Sequence, residues 1–165
     1  MRSLQDLEFS GAFLMRGFWL YVWTVKPGAR DPMIYVGRTG DSSSANAQSP
    51  FNRLSQHLGH NRGANALRRH LAKEGVEPEG CESFEMVAYG PIFPDTDDHD
   101  EHRSRRDKVA ALEKALADAR REAGYRVLND VKCRHALDEA LWQEIRNAFV
   151  ARFPKLQHKR AHAAP

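Results

Sequence analysis

The fold is decided by residues 18–38, which read FWLYVWTV, then KPGARDP, then MIYVGR. The segment from Phe18 to Val25 is rich in aromatic and β-branched side chains, which favour an extended strand. Prolines and a glycine occupy residues 26–32 and are typical of a turn. The segment from Met33 to Arg38 predicts a second short strand, so we expect the two strands to pair as a hairpin.

Helices and one further strand are expected after the hairpin. A loop from Thr39 to Ser49 precedes Ser49-Pro50, which predicts the start of a helix that runs to Leu58. The later expected elements are a helix from Gly63 to Glu74, a strand from Glu82 to Tyr89, a solvated loop over residues 91–103, a helix from Ser104 to Ala123, a brief extended piece from Tyr125 to Leu128 and a helix over residues 136–152.

These elements predict an α/β fold, with a small three-stranded, largely antiparallel sheet flanked by helices. At 165 residues, the chain is long enough for one domain, which we expect over residues 1–153. Residues 154–165 are expected to form a basic, flexible tail.

Composition restricts the class of protein. Hydrophobic residues make up 41% and charged residues 28%, as in ordinary soluble proteins. Cys81 and Cys133 form no C-x-x-C pair, which excludes a disulfide scaffold and a zinc finger of the usual spacing.

The longest apolar run, from Gly11 to Val25, contains Arg16 and follows acidic residues. We therefore expect neither a membrane span nor a signal peptide, and we expect a cytoplasmic location.

Positive charge is unevenly distributed along the chain. Lys plus Arg number 25 and Asp plus Glu 22, a formal net charge of +3. Residues 95–101 hold five of the acidic residues, and setting them aside leaves 25 basic against 17 acidic residues, a net charge of +8. We expect this acidic run in the solvated loop, because Pro91 and Pro94 cannot continue a helix or ladder. The basic remainder permits a polyanionic partner without requiring one.

Candidate site residues lie on the two hairpin strands and on two of the helices. Tyr21 and Tyr35 occupy paired strands, which can bring both hydroxyls to one end of the sheet. Arg53 and His57 are four apart on the first helix and so share a face. Glu113 falls at the margin of an apolar helix stripe, where a carboxylate can reach a cleft. Taken alone, each tyrosine is more often a half-buried strand residue, and an Arg/His pair at this spacing is more often a solvated helix face. Glu113 alone is as often a boundary residue paired with a nearby Lys or Arg.

In order along the chain, these residues resemble the GIY-YIG endonuclease superfamily. The matching motifs are Trp19-Leu20-Tyr21, Tyr35-Val36-Gly37, Arg53-x-x-x-His57, Glu113 and Leu128-Asn129, and the resemblance covers Phe18 to Asn129. Each motif is short, so the specificity comes from their number and order. The chain departs from the family pattern at Trp19, which stands where the first signature has a glycine, and in a long loop after the second strand.

The resemblance implies metal-dependent hydrolysis of phosphodiester bonds in DNA. Glu113 would hold one Mg²⁺ or Mn²⁺ ion, and Arg53 would brace the phosphate as negative charge develops. Tyr21 or Tyr35 would orient or deprotonate the attacking water with help from His57, and the sequence leaves open which tyrosine does so. Asn129 would order the region around Glu113. The resemblance implies no small-molecule cofactor.

Other basic residues are candidates for contacts with the nucleic-acid backbone. Arg62, Arg69 and Lys73 recur on one face of the second helix, and Arg38 ends the second strand. Such side chains bind phosphates without reading the base sequence. The sequence predicts no base-reading element and leaves the oligomeric state open.

Three functions remain open on this reading of the residues. The first is a free-standing DNA endonuclease, and the second is a nucleic-acid-binding module of the same fold without catalytic activity. The third is a small α/β interaction protein whose motifs match by chance. The presence of all five candidate groups, Tyr21, Tyr35, Arg53, His57 and Glu113, favours the first.

Overall fold

A four-stranded sheet lies at the centre of the computed structural model, which describes residues 4–42, 45–61 and 64–157. The strands are β1 (Gly17–Lys26), β2 (Met33–Arg38), β3 (Ser83–Pro94) and β4 (Arg126–Val127), arranged in the order β3-β1-β2-β4. The helices are α1 (Pro50–Leu58), α2 (Ala66–Lys73), α3 (His99–Glu122) and α4 (Glu139–Val150). Short 3₁₀ turns lie at Gly11–Leu14, Pro78–Gly80 and Pro154–Gln157. Within the described residues no helix combines the length and apolarity needed to cross a membrane.

The predicted hairpin is confirmed. β1 pairs antiparallel with β2, which places Tyr21 opposite Gly37 and Trp23 opposite Tyr35. β3 pairs antiparallel with the other edge of β1. β1 is therefore an inner strand of the sheet, buried along most of its length.

The prediction of a three-stranded antiparallel sheet is wrong in its strand number, although the α/β class holds. β4 pairs in parallel with β2, so the sheet has four strands and is mixed. The extended piece expected from Tyr125 to Leu128 contains this strand. Its two paired residues are too few to carry the alternating pattern from which a strand is predicted.

Most of the segment expected to form a solvated loop is regular structure. β3 continues through Pro91 to Pro94, which an edge strand tolerates because an outward amide needs no partner. The Asp98 carboxylate caps α3, accepting hydrogen bonds from the amides of Asp100 and Glu101 at 2.8 and 2.9 Å. Carboxylates are favourable at a helix N-terminus, so the acidic run, after the irregular residues 95–98, forms the N-cap and first turn of α3.

Two other boundaries differ from those expected. α2 begins at Ala66, and α4 covers Glu139–Val150 rather than residues 136–152. Leu156 is only 2% exposed, so the first part of the expected flexible tail is packed against the core. Residues 158–165 lie outside the described residues.

The two faces of the sheet carry different cores because alternate side chains of a strand point in opposite directions. The hydrocarbon face consists of Phe18, Leu20, Val22, Ile34 and Val36, covered by α3 and α4. The tyrosine face consists of Tyr21, Trp23, Val25, Met33 and Tyr35, covered by α1 and α2. Among these residues of β1 and β2, the aromatic groups with polar atoms, Tyr21, Trp23 and Tyr35, all lie on the tyrosine face.

Candidate active site

A cleft of about 330 Å³ opens where the tyrosine face meets the second half of α1 and the middle of α3. Its lining includes five of the six side chains to which the resemblance assigns a role at the catalytic centre: Tyr21, Tyr35, Arg53, His57 and Glu113. These five come from two strands and two helices that are distant in sequence, and the fold brings them together. Asn129, the sixth, does not line the cleft.

Tyr21 and His57 form a buried pair. The Tyr21 hydroxyl lies 2.6 Å from Nε2 of His57, and the two residues are 2% and 5% exposed. Burial lowers the pKa of His57 to about 4, with the positive charge of Arg53 acting in the same direction. Burial also raises the pKa of Tyr21 well above its usual value, and nearby Tyr35 adds to the shift. At neutral pH the pair is therefore a neutral phenol beside a neutral imidazole.

The His57 ring has few polar contacts apart from this one. Its Nδ1 atom is buried and has no hydrogen-bond partner among the described residues. The ring is instead enclosed by aromatic side chains, with ring centroids at 5.0 Å from Tyr35, 5.4 Å from Tyr21 and 6.5 Å from Trp23. No described group fixes the tautomer from Nδ1, so Nε2 is able to accept the Tyr21 proton when Nδ1 carries the ring proton.

Tyr35 borders the same cleft, but its hydroxyl has no hydrogen-bond partner among the described residues. It is 8% exposed, and burial, reinforced by the negative charge of Glu113, raises its pKa to about 12. Neither tyrosine is therefore a phenolate at neutral pH in the free protein. Deprotonation of either one would require a cation close to its oxygen.

Gly37 leaves the space that Tyr21 occupies. A Cβ atom added at Gly37 would lie 2.4 to 2.6 Å from the ring and hydroxyl atoms of Tyr21. Such contacts are too short for any side chain. Position 37 of the Tyr35-Val36-Gly37 motif must therefore be glycine, because the Tyr21 ring on the neighbouring strand leaves no room for a side chain there.

Arg53 projects from α1 into the cleft and is held by two polar partners. Its Nη1 donates to the Gln56 side-chain oxygen at 3.0 Å, and its Nη2 forms an ion pair with Asp41. The Arg53 side chain is 16% exposed. Sequence reasoning missed Asp41, which lies in a polar loop without any periodic pattern that would have singled it out.

Glu113 is paired with Arg38. The Arg38 Nε donates to Glu113 Oε2 at 2.8 Å, and the two side chains are 17% and 14% exposed. Burial raises the pKa of Glu113, while Arg38 and Arg53 oppose that shift. Arg38 was expected among the backbone contacts, and the structure places it in the cleft wall as the partner of the candidate metal ligand.

The fit of a metal ion depends on Glu113 alone. No group of three or more His, Cys, Asp or Glu side chains within residues 4–42, 45–61 and 64–157 is arranged to hold a metal. Oε1 of Glu113, however, accepts no hydrogen bond from any residue that the structure describes, and Glu113 lines the cleft. Mg²⁺ is commonly held by one or two carboxylates plus waters and substrate phosphate, so this donor fits such an ion.

Asn129 lies at the edge of β2. Its Oδ1 accepts from the amide of Val36 at 3.1 Å, and its Nδ2 donates to the Val36 carbonyl at 2.7 Å. The side chain thus continues the ladder that β4 begins beside Ile34. Its contacts order the strand that carries Tyr35 and Gly37, whereas the sequence-based expectation was order around Glu113.

Two of the residues expected to contact nucleic acid on the second helix are described. Arg69 and Lys73 are exposed on α2, which adjoins the cleft through Ala66. Arg62 lies outside the described residues.

Comparison with known proteins found no match: no family model, no curated protein and no solved structure corresponds to this chain. The residues of the cleft are therefore the basis of the proposed function.

Proposed function

We propose that this protein is a metal-dependent endonuclease that hydrolyses phosphodiester bonds in DNA. The observation that carries the proposal is the single cleft lined by Tyr21, Tyr35, Arg53, His57 and Glu113. Phosphodiester hydrolysis needs stabilisation of developing negative charge, a route for a proton from water and a ligand for a divalent cation. Each requirement has a matching group in the cleft.

Arg53 would bind the phosphate. A guanidinium presents donors in a planar fork that suits carboxylate and phosphate oxygens alike. In the free protein one branch of this fork holds the Asp41 carboxylate. We therefore expect a substrate phosphate to take the place of Asp41 on Arg53.

Tyr21 and His57 would carry the proton from the attacking water. The Tyr21 oxygen would take a proton from water while its own proton passes to Nε2 of His57, which lies 2.6 Å from that oxygen. This transfer requires a neutral imidazole, which burial secures by lowering the pKa of His57 to about 4. Tyr21 is the better candidate than Tyr35 because it alone has this hydrogen-bonded partner among the described residues.

Glu113 would hold the metal ion through Oε1. A bound divalent cation supplies Lewis-acid stabilisation of the phosphate and of the leaving 3′ oxygen. Arg38 would orient the carboxylate through Oε2, and its positive charge opposes the rise in the pKa of Glu113 that burial causes.

Nicking of supercoiled plasmid DNA tests the proposal. We expect nicking with Mg²⁺ or Mn²⁺, none with EDTA, and none with the Glu113→Gln variant. Glu122→Gln is the matched control, because Glu122 is exposed on the same helix. The products should carry 3′-hydroxyl and 5′-phosphate ends. Failure to cut plasmid, branched and single-stranded DNA with either metal would contradict the proposal, and 3′-phosphate ends would contradict the mechanism.

A catalytically inactive nucleic-acid-binding module is the second candidate. The pairing of Arg38 with Glu113 favours it, because the pair neutralises the single carboxylate on which metal binding depends. Retardation of DNA in a gel without cutting under any of these conditions would establish this alternative.

A further inference from the structure

We propose that a second groove beside the cleft binds the sugar–phosphate backbone of one nucleic-acid strand. This inference rests on the proposed function, because it concerns the same polyanionic substrate. The groove has a volume of about 610 Å³ and shares Arg38 and Asp41 with the cleft. A strand with its reactive phosphate in the cleft would therefore pass directly into the groove.

The two walls of the groove come from separate parts of the chain. Arg106, Asp107 and Ala110 of α3 form one wall. The segment 132–135, which reads KCRH, forms the other. Basic side chains therefore line both sides of the groove.

Two positive charges of the groove have no ion-pair partner within the part of the chain that the structure describes. Arg106 pairs with Asp107 at 2.9 Å, and His135 Nε2 lies 3.6 Å from the same carboxylate. Lys132 and Arg134, both exposed, form no ion pair with any residue that the structure describes. Isolated surface cations commonly serve solubility, but these two line a groove that opens into a candidate phosphate site.

The segment that carries Lys132 and Arg134 is anchored at both ends. Before it, Asn129 bonds to Val36 in the sheet and accepts at its carbonyl from Arg121 at 3.0 Å. After it, the Asp138 side chain caps α4 by accepting from the Leu141 amide at 3.1 Å. A segment fixed in this way loses little conformational freedom on binding, which favours a stable phosphate contact.

The size of the groove indicates one strand. Its volume lies within the range of about 300–1,000 Å³ that is typical of small-ligand pockets. That space accommodates part of one backbone and is too small to enclose a duplex. The groove meets the cleft at Arg38, whereas α2 meets it at Ala66, so the basic surface proposed here is separate from Arg69 and Lys73.

Equilibrium binding over a salt series tests the groove. The probes are a fluorescein-labelled single-stranded DNA oligonucleotide and its duplex, measured by anisotropy in EDTA so that no cutting occurs. The variant is Lys132→Ala with Arg134→Ala. Its matched control, Lys26→Ala with Arg30→Ala, removes the same two charges at the far end of the hairpin.

We expect the groove variant to bind at least about tenfold more weakly at low salt. The slope of log K against log salt should fall by roughly 1.4 for the single strand and roughly 1.8 for the duplex, because two phosphate contacts are lost. With plasmid substrate, KM should rise while kcat is unchanged. The control pair should keep the wild-type slope, and equal thermal midpoints should show that both variants are folded.

The outcomes separate this inference from the proposed function. If the wild-type protein binds or cuts DNA and the groove variant keeps its affinity and salt slope, the groove proposal is wrong and the nuclease proposal stands. If the wild-type protein binds without cutting and the groove variant binds weakly, the nuclease proposal is wrong and the groove stands. If the wild-type protein neither binds nor cuts, both are overturned.

Discussion

The two faces of the sheet are built from the same strands, yet they differ in chemistry. The hydrocarbon face, with Phe18, Leu20 and Val22 at its centre, is sealed by the long helix α3 and by α4. The tyrosine face is covered by the short helices α1 and α2, which leave a cleft beside Tyr21 and Tyr35. Aromatic groups with a polar tip can be buried and still present that tip to an opening. Alternate residues of one hairpin thus serve stability on one side and the candidate chemistry on the other.

One arginine on each side of the sheet, Arg120 and Arg53, shows the same contrast. Arg120, on the hydrocarbon side, is 0% exposed, and its guanidinium nitrogens have no hydrogen-bond partner among the described residues. Its charge lies 3.5 Å from the ring centroid of Phe153, and burial lowers its pKa to about 9. Arg53 instead forms an ion pair with the Asp41 carboxylate at the cleft. Aromatic rings surround the charge of Arg120, whereas a carboxylate compensates the charge of Arg53.

The largest effect should come from replacing each of these arginines by methionine. Arg53→Met should reduce DNA cleavage by about 10²–10³-fold, because a donor to the developing negative charge is lost. Arg120→Met removes the same charge and should leave kcat unchanged. It should also keep or raise stability, since a buried unpaired charge is often replaced by an apolar group at no cost. Plasmid nicking and urea unfolding measure the two effects, and loss of cleavage in a folded Arg120→Met protein would break the comparison.

The next effect is the pH dependence of stability that comes from His57. Its pKa is about 4 in the folded protein and about 6.5 when unfolded, so the unfolded state binds the proton first as pH falls. The free energy of unfolding should therefore decrease as pH falls from about 6.5 to 4, by on the order of 3 kcal/mol.

The His57→Gln variant isolates this contribution, because the other histidines are unchanged. Urea unfolding across that pH range should show a shallower loss of stability in the variant than in the wild-type protein. Parallel curves would show that burial of His57 does not carry the proton linkage.

A smaller effect is expected from Gly37→Ala. The added methyl group would overlap the Tyr21 ring, so we expect a loss of about 1–3 kcal/mol in unfolding free energy and reduced cleavage. Gly80→Ala is the matched control, since a Cβ atom there meets nothing within 4 Å. Differential scanning calorimetry distinguishes the two, and equal thermal midpoints would contradict the steric role of Gly37.

The smallest effect should come from Lys73→Ala on α2. Removal of one exposed phosphate contact should weaken DNA binding about threefold and lower the salt slope by roughly 0.9 for duplex DNA, with kcat unchanged. Anisotropy titrations at several salt concentrations measure both quantities. An unchanged slope would remove Lys73 from the substrate surface.

Local patterns account for the parts of this structure that sequence predicts. Strand composition and turn residues indicate the hairpin, and the spacing of Arg53 and His57 indicates their common helix face. The order of the motifs then groups five side chains that the fold places in one cleft. The hairpin and the helix face are predictable because they depend on residues close together in sequence. The grouping of the five side chains is predictable because the family resemblance covers all of them.

Features that depend on long-range contacts were missed. The partnership of Arg38 with Glu113 joins residues far apart in sequence and has no periodic signal. Pairing of β4 with β2 depends on the sheet being present already. The start of α3, however, could have been predicted, because Asp98 followed three residues later by Glu101 is an N-cap pattern. The many acidic residues of the run obscured this pattern.

The amide of Asn129 also has a consequence for self-association. Beyond the two paired residues of β4, the edge of β2 would offer the amide and carbonyl of Val36 to any extended peptide. Asn129 occupies both groups from within its own chain. Exposed strand edges are templates for aggregation. The Asn129 side chain therefore protects β2, the strand that carries Tyr35, against pairing with a strand of another molecule.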